Sequence, residues 1–323
     1  MQPVIPCKTD PLLSQFYQHV IQTPLLSYKM SHTPWQYLYL KDETKQITGS
    51  FKFRGNFHRL LCTPSLDQGV VTASTGNHGL GLAAAARILG GRAHVFLPTT
   101  TALVKQQSIM EAEAIVSKID GDYEQCKRAS QVFARETGAA YIYGFDDPEI
   151  IMGHMSLFSE VESQQSQGFD TIFVPIGGGG LLAACLQYYQ GRNVKIVGVE
   201  LDSAPAMALS LAQGQRIVLE RVVGRAEGLL IREVGAIPFQ IAQQAKNLEI
   251  FLVSDEQICY AIRLLWEYHG IRAEGAGAAA LAAALYYPQA SQDQKALAIV
   301  SGGNIDEEQF KDALVSATPK FRA

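Results

Sequence analysis

The chain has 323 residues, 47% apolar and 18% charged. That balance excludes a disordered chain, which lacks the apolar surface to offset its conformational entropy. Lys and Arg total 27 against 31 Asp and Glu, a formal net charge of -4, so no basic excess exists to hold a phosphate backbone and no nucleic-acid partner is expected.

In chain order, apolar runs of strand length alternate with helical patterns. A strand is predicted at Tyr37–Leu40. Gly69–Thr72 follows with a helix over Asn77–Leu89, Ala93–Leu97 with a helix over Ala102–Glu113, and Ala114–Val116 with a helix over Tyr123–Glu136. A helix at Glu149–Gln165 leads to the strand Thr171–Pro175 and the helix Leu181–Tyr189. The strand Val194–Val199, the helices Asp255–Tyr268 and Gly275–Tyr286, and the strand Ala296–Val300 complete the series. This alternation reads as α/β, with two open, mostly parallel twisted sheets flanked by helices. One sheet is expected from Gly69 to about Tyr143 and another beginning at Thr171. Runs such as Ile172-Phe173-Val174 suit strands covered on both faces. The Ala- and Gly-rich stretch Gly275–Tyr287 is too short for a membrane span and reads as a tightly packed buried helix. No Pro/Gly/Ser linker cuts the chain, so two domains must arise by the chain crossing between them.

The cysteines, Cys7, Cys62, Cys126, Cys185 and Cys259, are odd in number, widely spaced and never in a C-x-x-C pair. A disulfide framework or structural zinc site is not expected, and a reducing compartment fits. Met1 to Pro11 has no basic stretch followed by an apolar core, so no signal peptide is expected and the expected location is the cytoplasm.

Open α/β sheets bind ligands at the carboxyl ends of their strands, and four unusual segments lie there or nearby. In Thr48-Gly49-Ser50-Phe51-Lys52-Phe53-Arg54-Gly55-Asn56 a lysine stands between aromatics at a helix start. Partial burial lowers a lysine pKa, and a neutral amine forms a Schiff base with an aldehyde; taken alone, a solvated surface lysine is the simpler account. Ala73-Ser74-Thr75-Gly76-Asn77-His78-Gly79 joins a strand to a helix, where outward backbone N–H groups suit a carboxylate and an ordinary helix cap explains the residues equally well. Gly177-Gly178-Gly179-Gly180 lies directly between a strand and a helix. Four glycines pack nothing, but they let backbone N–H groups approach a phosphate. Neither G-x-G-x-x-G nor a P-loop is met, since Leu182 takes the sixth position and no Gly-Lys-Ser/Thr follows. Ser301-Gly302-Gly303-Asn304 is a further polar strand exit, able to offer a ligand ring one hydrogen bond. One ligand reconciles the four, with an aldehyde for Lys52, a phosphate for the glycines and a heteroaromatic ring between: pyridoxal 5'-phosphate, an electron sink for carbanions beside an amino group.

With these segments in their order, the chain resembles the fold-type II, tryptophan-synthase β-like pyridoxal-phosphate enzymes, and within them the serine/threonine dehydratase and serine racemase family. Lys41-Asp42-Glu43, Phe145-Asp146-Asp147-Pro148, Gly198-Val199-Glu200 and Glu274-Gly275-Ala276-Gly277-Ala278 extend the resemblance over nearly the whole chain. It implies a large cofactor-binding domain of residues 1–67 and 145–323, with a small domain of residues 68–144 closing over the substrate. It implies that Lys52 holds the cofactor covalently, Phe51 packs on the pyridine ring and Asn77 bonds the ring hydroxyl. Gly177, Gly178, Gly179 and Gly180 would hold the phosphate, Gly228 would be a cofactor neighbour, and Ser301 would face the pyridine nitrogen. Ser74, Thr75, Gly76 and His78 would surround the substrate carboxylate.

The implied activity is an ammonia-lyase, removing the β-hydroxyl of an amino acid such as L-threonine or L-serine to give a 2-oxo acid and ammonia. Alternatives are an amino-acid racemase, a lyase for 3-hydroxyaspartate, phenylserine or a hydroxyectoine-derived amino acid, and a non-enzymatic phosphate-compound binder. Departures from the family bear on that choice. Gly153-His154-Met155-Ser156 stands where the family has Gly-Gln-Gly-Thr, which makes His154 either a substrate contact or extra acid, or a satisfied structural histidine. Thr75 replaces the Ala of dehydratases and the Ser that racemases use as a second proton carrier, so it is a candidate catalytic residue. Arg225-Ala226-Glu227-Gly228 matches the family's Ala-Asp-Gly only loosely. Glu200 and Ala204 match two ligands of the family's cation site, but Ala206 stands at the second carboxylate, with Asp202 close by, so no metal is expected. The chain ends soon after Ser301, so a C-terminal regulatory domain and isoleucine feedback are not expected. The resemblance implies a homodimer or homotetramer.

Overall fold

The structure is a computed structural model that describes residues 11–28 and 33–316; Cys7 and the rest of the segment up to residue 10 lie outside them. The strands are β1 (Leu25–Ser27), β2 (Tyr37–Asp42), β3 (Val70–Ala73), β4 (Ala93–Pro98), β5 (Ile115–Ile119), β6 (Ala140–Tyr141), β7 (Thr171–Pro175), β8 (Lys195–Leu201), β9 (Leu248–Val253) and β10 (Lys295–Val300). The helices are α1 (Pro11–His19), α2 (Lys52–Leu61), α3 (Asn77–Ile88), α4 (Leu103–Glu111), α5 (Tyr123–Thr137), α6 (Pro148–Gln164), α7 (Gly180–Tyr188), α8 (Ala206–Gln213), α9 (Ala236–Gln244), α10 (Asp255–His269), α11 (Gly275–Tyr286) and α12 (Glu307–Ser316). The chain forms two compact units, Met1–Ile21 with Gln46–His154 and Gln22–Lys45 with Met155–Ala323.

The first unit is built on a four-stranded sheet in the order β5-β4-β3-β6, parallel throughout. Successive side chains of a strand point to opposite faces, and here each face has its own core. Val70, Val95 and Leu97 join Phe53, Phe57 and Leu82 in one cluster, while Val71, Ala73 and Phe96 join Cys126 in the other. That is why these strands read as continuous apolar runs. Helix α2 packs on α3 at close range. A Cβ at Gly81 would lie 2.8 Å from Asn56 Nδ2 and 3.3 Å from the Lys52 carbonyl carbon. This contact groups residues 46–67 with the small sheet. The compact units therefore divide at 21/22, 45/46 and 154/155, whereas the expected domain boundaries were 67/68 and 144/145.

The second unit carries a six-stranded sheet in the order β1-β2-β10-β7-β8-β9, parallel except for β1 against β2. The expectation of a sheet beginning at Thr171 is corrected here, since β1 and β2 extend it. The register pairs Val300 with Asp42, so β10 and the Lys41-Asp42 segment run out side by side. Helix α11 is buried from Gly275 to Ala284, and its small residues have a physical reason. A Cβ at Gly277 would sit 2.1 Å from the Gly302 carbonyl oxygen, at the exit of β10. Among the described residues no helix is long and apolar enough to cross a membrane.

A buried ion pair fixes β2 to α6 within this unit. Lys41 Nζ, fully buried, lies 2.8 Å from Glu160 Oε2 and donates to the Thr23 carbonyl at 2.8 Å and to Gln164 Oε1 at 3.0 Å. Removing one partner of a buried pair leaves a desolvated charge uncompensated. Glu160→Gln is therefore expected to cost about 3–5 kcal/mol in chemical denaturation, and the double replacement Lys41→Met/Glu160→Leu to recover part of that loss. Equal stability of Glu160→Gln and the parent would contradict this account.

Candidate active site

In the first unit, Lys52 opens α2 after Phe51, whose own backbone is already helical. The side chain is half-buried. Its Nζ donates to the Gly144 carbonyl oxygen at 2.7 Å and stands 5.1 Å from the centre of the Phe51 ring. Asn56, fully buried one turn later, donates from Nδ2 to the carbonyls of Lys52 (2.9 Å) and His78 (3.3 Å). It ties the first turn of α2 to the first turn of α3 and so fixes where the lysine stem leaves the backbone.

The Ser74–His78 segment runs from β3 into α3. Ser74 Oγ accepts from the Gly79 N–H at 2.9 Å and from the Gly76 N–H at 3.3 Å, so it caps α3 from within the bend. Thr75, Gly76 and Asn77 are half-buried, and a Cβ at Gly76 would meet nothing within 4 Å. There is open space beside this backbone. His78 does not share that space. Its Nε2 lies 3.0 Å from Thr72 Oγ1 and 3.3 Å from the Ile142 carbonyl. Since the Thr72 hydroxyl itself donates to Ile142 O, Nε2 carries the proton and Nδ1 is the bare nitrogen. The expected carboxylate contact of His78 gives way to a place beneath the strand, where burial and then the Lys52 charge push its pKa down to about 3.

His154 is fully buried and packs its ring on Phe51, centroids 4.7 Å apart. A Cβ at Gly55 would come within 2.5 Å of its Cε1, which explains the glycine in the Lys52 motif. Burial, then the charges of Lys52 and Arg54, hold its pKa well below the usual imidazole value. Such a ring is neutral and sealed from solvent, so the reading as an extra acid is replaced by one in which His154 backs the Phe51 ring. It is not a satisfied structural histidine either, because neither ring nitrogen has a hydrogen-bond partner.

The depressed His78 pKa makes a stability prediction. In the unfolded chain the imidazole titrates near 6.5, and in the folded chain near 3. Above 6.5 both states are neutral. Between the two values the unfolded chain binds a proton that the folded chain refuses, so stability falls as pH falls, at up to about 1.4 kcal/mol per pH unit for this one group. Denaturation curves of the parent and His78→Asn should therefore converge as pH is lowered from 6.5 to 4. Parallel pH dependences would contradict this placement.

In the second unit, Gly177–Gly180 leave β7 and start α7. A Cβ at Gly177 would lie 2.3 Å from the Gly228 carbonyl oxygen, and Gly179 has φ +93° with Pro238 Cβ 2.7 Å from its would-be side chain. No side chain fits at either position, and the turn delivers free N–H groups at the start of a nine-residue helix. Gly228 lies against this loop through that same carbonyl. Ser301, buried at the end of β10, donates its hydroxyl to the Ala276 carbonyl at 3.2 Å. Glu200 accepts from the Met207 and Ala208 N–H groups at 2.7 and 2.9 Å, so its carboxylate caps α8. Burial raises its pKa to about 7.

Pyridoxal phosphate fits what each unit offers. Beside Lys52 the first unit buries polar atoms that no protein group satisfies, among them Ser50 Oγ and Asn56 Oδ1. The second unit has a glycine cradle at a helix start. Sequence reasoning missed Gly144, whose carbonyl is brought to Lys52 across 92 residues. It also gave no role to Asp147, which caps α6 through the Glu149 N–H (2.9 Å) and receives Arg59 Nε at 2.8 Å.

A lysine at a helix start and a glycine-built strand-to-helix turn are each features of a class of vitamin B6 enzymes. The chain belongs to the pyridoxal-phosphate dependent enzyme family, whose pattern matches residues 16–302, and its cofactor is pyridoxal phosphate. It is 36% identical over 310 residues to the biosynthetic, chloroplastic threonine dehydratase of Arabidopsis thaliana, an alignment covering 94% of this chain and 52% of that protein. The chain thus spans about half the length of that curated relative. The solved structure of processed threonine deaminase isoform 2 from Solanum lycopersicum superposes with a TM-score of 0.89 at 31% identity, covering 95% of this chain and 91% of that one. Maize serine racemase gives a TM-score of 0.86 at 27% identity, with 94% of each chain covered.

Proposed function

We propose that the protein is an ammonia-lyase that removes water and then ammonia from a β-hydroxy amino acid, with threonine and serine the first candidates. The observation that carries this reading is the placement of Lys52, half-buried at the start of α2 with its amine held by the Gly144 carbonyl. The names of the relatives above support the same reaction class. When bound, the cofactor supplies an electron sink for negative charge next to the substrate nitrogen. Lys52 would hold the cofactor through its aldehyde. The Lys52 amine would also be the general base for the Cα proton of the substrate. The Gly144 carbonyl and the start of α2 hold that amine in position. Asn77 would take the ring hydroxyl, and the open bend at Thr75 and Gly76 would take the substrate carboxylate. Gly177–Gly180 receive the phosphate on their N–H groups. Ser301 would offer the ring nitrogen an uncharged hydroxyl, which would favour elimination over transamination. Phe51, backed by His154, packs on the ring.

The free thiols Cys62, Cys126, Cys185 and Cys259 support a reducing compartment such as the cytoplasm. The lyase reading is tested by incubating the purified enzyme with a panel of β-hydroxy amino acids and measuring 2-oxo acid and ammonia. Release of both in equal amounts is expected from at least one member. In D₂O, L-serine converted to deuterated D-serine without pyruvate would instead establish a racemase, with the Thr75 hydroxyl as second proton carrier.

A further inference from the structure

Apart from the lysine and its surroundings, the first unit holds a second cluster of reactive side chains. His58 stands in the last turn of α2, Cys62 follows four residues later as its C-cap, and Glu149 stands in the first turn of α6. One ligand atom from each of the three lies within 4.8 Å of the others. Among the described residues this is the group of histidine, cysteine and carboxylate close enough to share an ion. All three are half-buried, so the group is neither sealed in the core nor scattered on the surface. We propose that His58, Cys62 and Glu149 form a binding site for a thiophilic divalent transition metal, with Zn²⁺ the ion that the ligand set fits best.

Four features of the geometry support this. Residues at i and i+4 of a helix share one face, which aims the imidazole and the thiol at the same point. His58 Nδ1 lies 2.9 Å from the Glu149 backbone carbonyl. A carbonyl only accepts, so Nδ1 carries the hydrogen and Nε2 presents its lone pair. Metal-binding histidines are oriented this way, by a second bond from the other ring nitrogen to a carbonyl or carboxylate. The Cys62 sulfur lies 4.0 Å from both ring nitrogens. With Zn–N near 2.0 Å and Zn–S near 2.3 Å, the sulfur and Nε2 come within reach of one ion once the Cys62 side chain rotates toward Nε2. The Glu149 carboxylate, 3.4 Å from the ring at Nδ1 and 39% exposed, already contacts this group and would swing toward the ion as third ligand.

The chemistry selects the ion. A thiolate and an imidazole disfavour Mg²⁺ and Ca²⁺, which take oxygen ligands, and favour Zn²⁺ and its neighbours in the transition series. Three protein ligands and partial exposure leave a fourth, tetrahedral position for water. Binding displaces the thiol proton to solvent and transfers no electrons. The absence of C-x-x-C pairs pointed away from zinc only because sequence spacing does not show Glu149 meeting a helix 87 residues earlier. The ion would join the last turn of the Lys52 helix to the first turn of α6. Nothing in the site draws on the cofactor or on the lyase reading, so its test stands apart from theirs.

The test uses purified holoenzyme, stripped of metal by chelation and dialysis, titrated with Zn²⁺ and, as a visible probe, with Co²⁺. The parent should bind one ion per chain, and the Co²⁺ form should show a sulfur-to-metal charge-transfer band. Cys62→Ser should lose that band, and His58→Asn and Glu149→Gln should each weaken Zn²⁺ binding about tenfold or more. The thermal midpoint of the parent should rise with added Zn²⁺, while that of the variants stays put. Midpoints of the metal-free variants close to the parent's show that the replacements fold. If a variant fails to fold, alkylation of Cys62 in the parent provides the same comparison. Sub-stoichiometric binding, a Co²⁺ spectrum without the sulfur band, or unchanged affinity after loss of Cys62 would each overturn the proposal.

Discussion

Lys52→Ala is expected to lower lyase turnover by at least about 10³-fold and to leave any bound cofactor without a covalent link. Two functions vanish with one nitrogen: the link to the aldehyde and the base for the Cα proton. The structure gives no substitute. His78 and His154, the imidazoles whose pKa values feel the Lys52 charge, are buried, and their pKa values are lowered so far that they stay neutral. The helix start itself is held by Asn56 through the Lys52 and His78 carbonyls, which do not depend on the side chain at 52. The variant should therefore fold like the parent. Steady-state 2-oxo acid release, the visible absorbance of the bound cofactor and the unfolding midpoint, measured together, check all three statements. A variant retaining a tenth of parental turnover would show that another group is the base.

Gly177→Ala is expected to abolish cofactor retention while leaving most of the fold intact. The added methyl carbon would meet the Gly228 carbonyl oxygen at 2.3 Å, and both atoms belong to backbone. The chain at one of the two positions must move, at a cost of about 1–3 kcal/mol in overpacking. The movement falls on the loop whose N–H groups receive the phosphate. Gly179→Ala adds the strain of φ +93° to a contact of 2.7 Å with Pro238, so it should be the more damaging. Cofactor content after gel filtration, followed by addition of excess pyridoxal phosphate, distinguishes weakened affinity from misfolding. Full occupancy in Gly177→Ala would mean that the loop does not hold the phosphate.

The layer order and the strand–loop–helix junctions were legible in the sequence because periodicity and glycine placement are local signals. Strand β7 and helix α11 fall where the pattern puts them, at Thr171–Pro175 and Gly275–Tyr286. Strand β9 was missed. Leu248–Val253 is half-exposed along most of its length, and its apolar run, Ile250-Phe251-Leu252-Val253, is only four residues long. Strands β1 and β6 have three and two residues, too few to show any period. The helix starts at Lys52 and after Gly177–Gly179 were legible because each is built from neighbours in the chain. The site was illegible where partners come from far away. His78 turns to Ile142 and His154 turns to Phe51 and Gly55, so neither takes the role its sequence position suggested. Both are polar residues buried by tertiary packing, which residue type and local spacing do not encode.

The central claim is that the Lys52 nitrogen bears the cofactor. Borohydride reduction of the holoenzyme fixes the cofactor to whichever amine holds it, and proteolysis with mass spectrometry then finds that residue. The account predicts one pyridoxyl-phosphate adduct per chain, on the peptide containing Lys52. An adduct on a different lysine, or a cofactor that washes away after reduction, would contradict it.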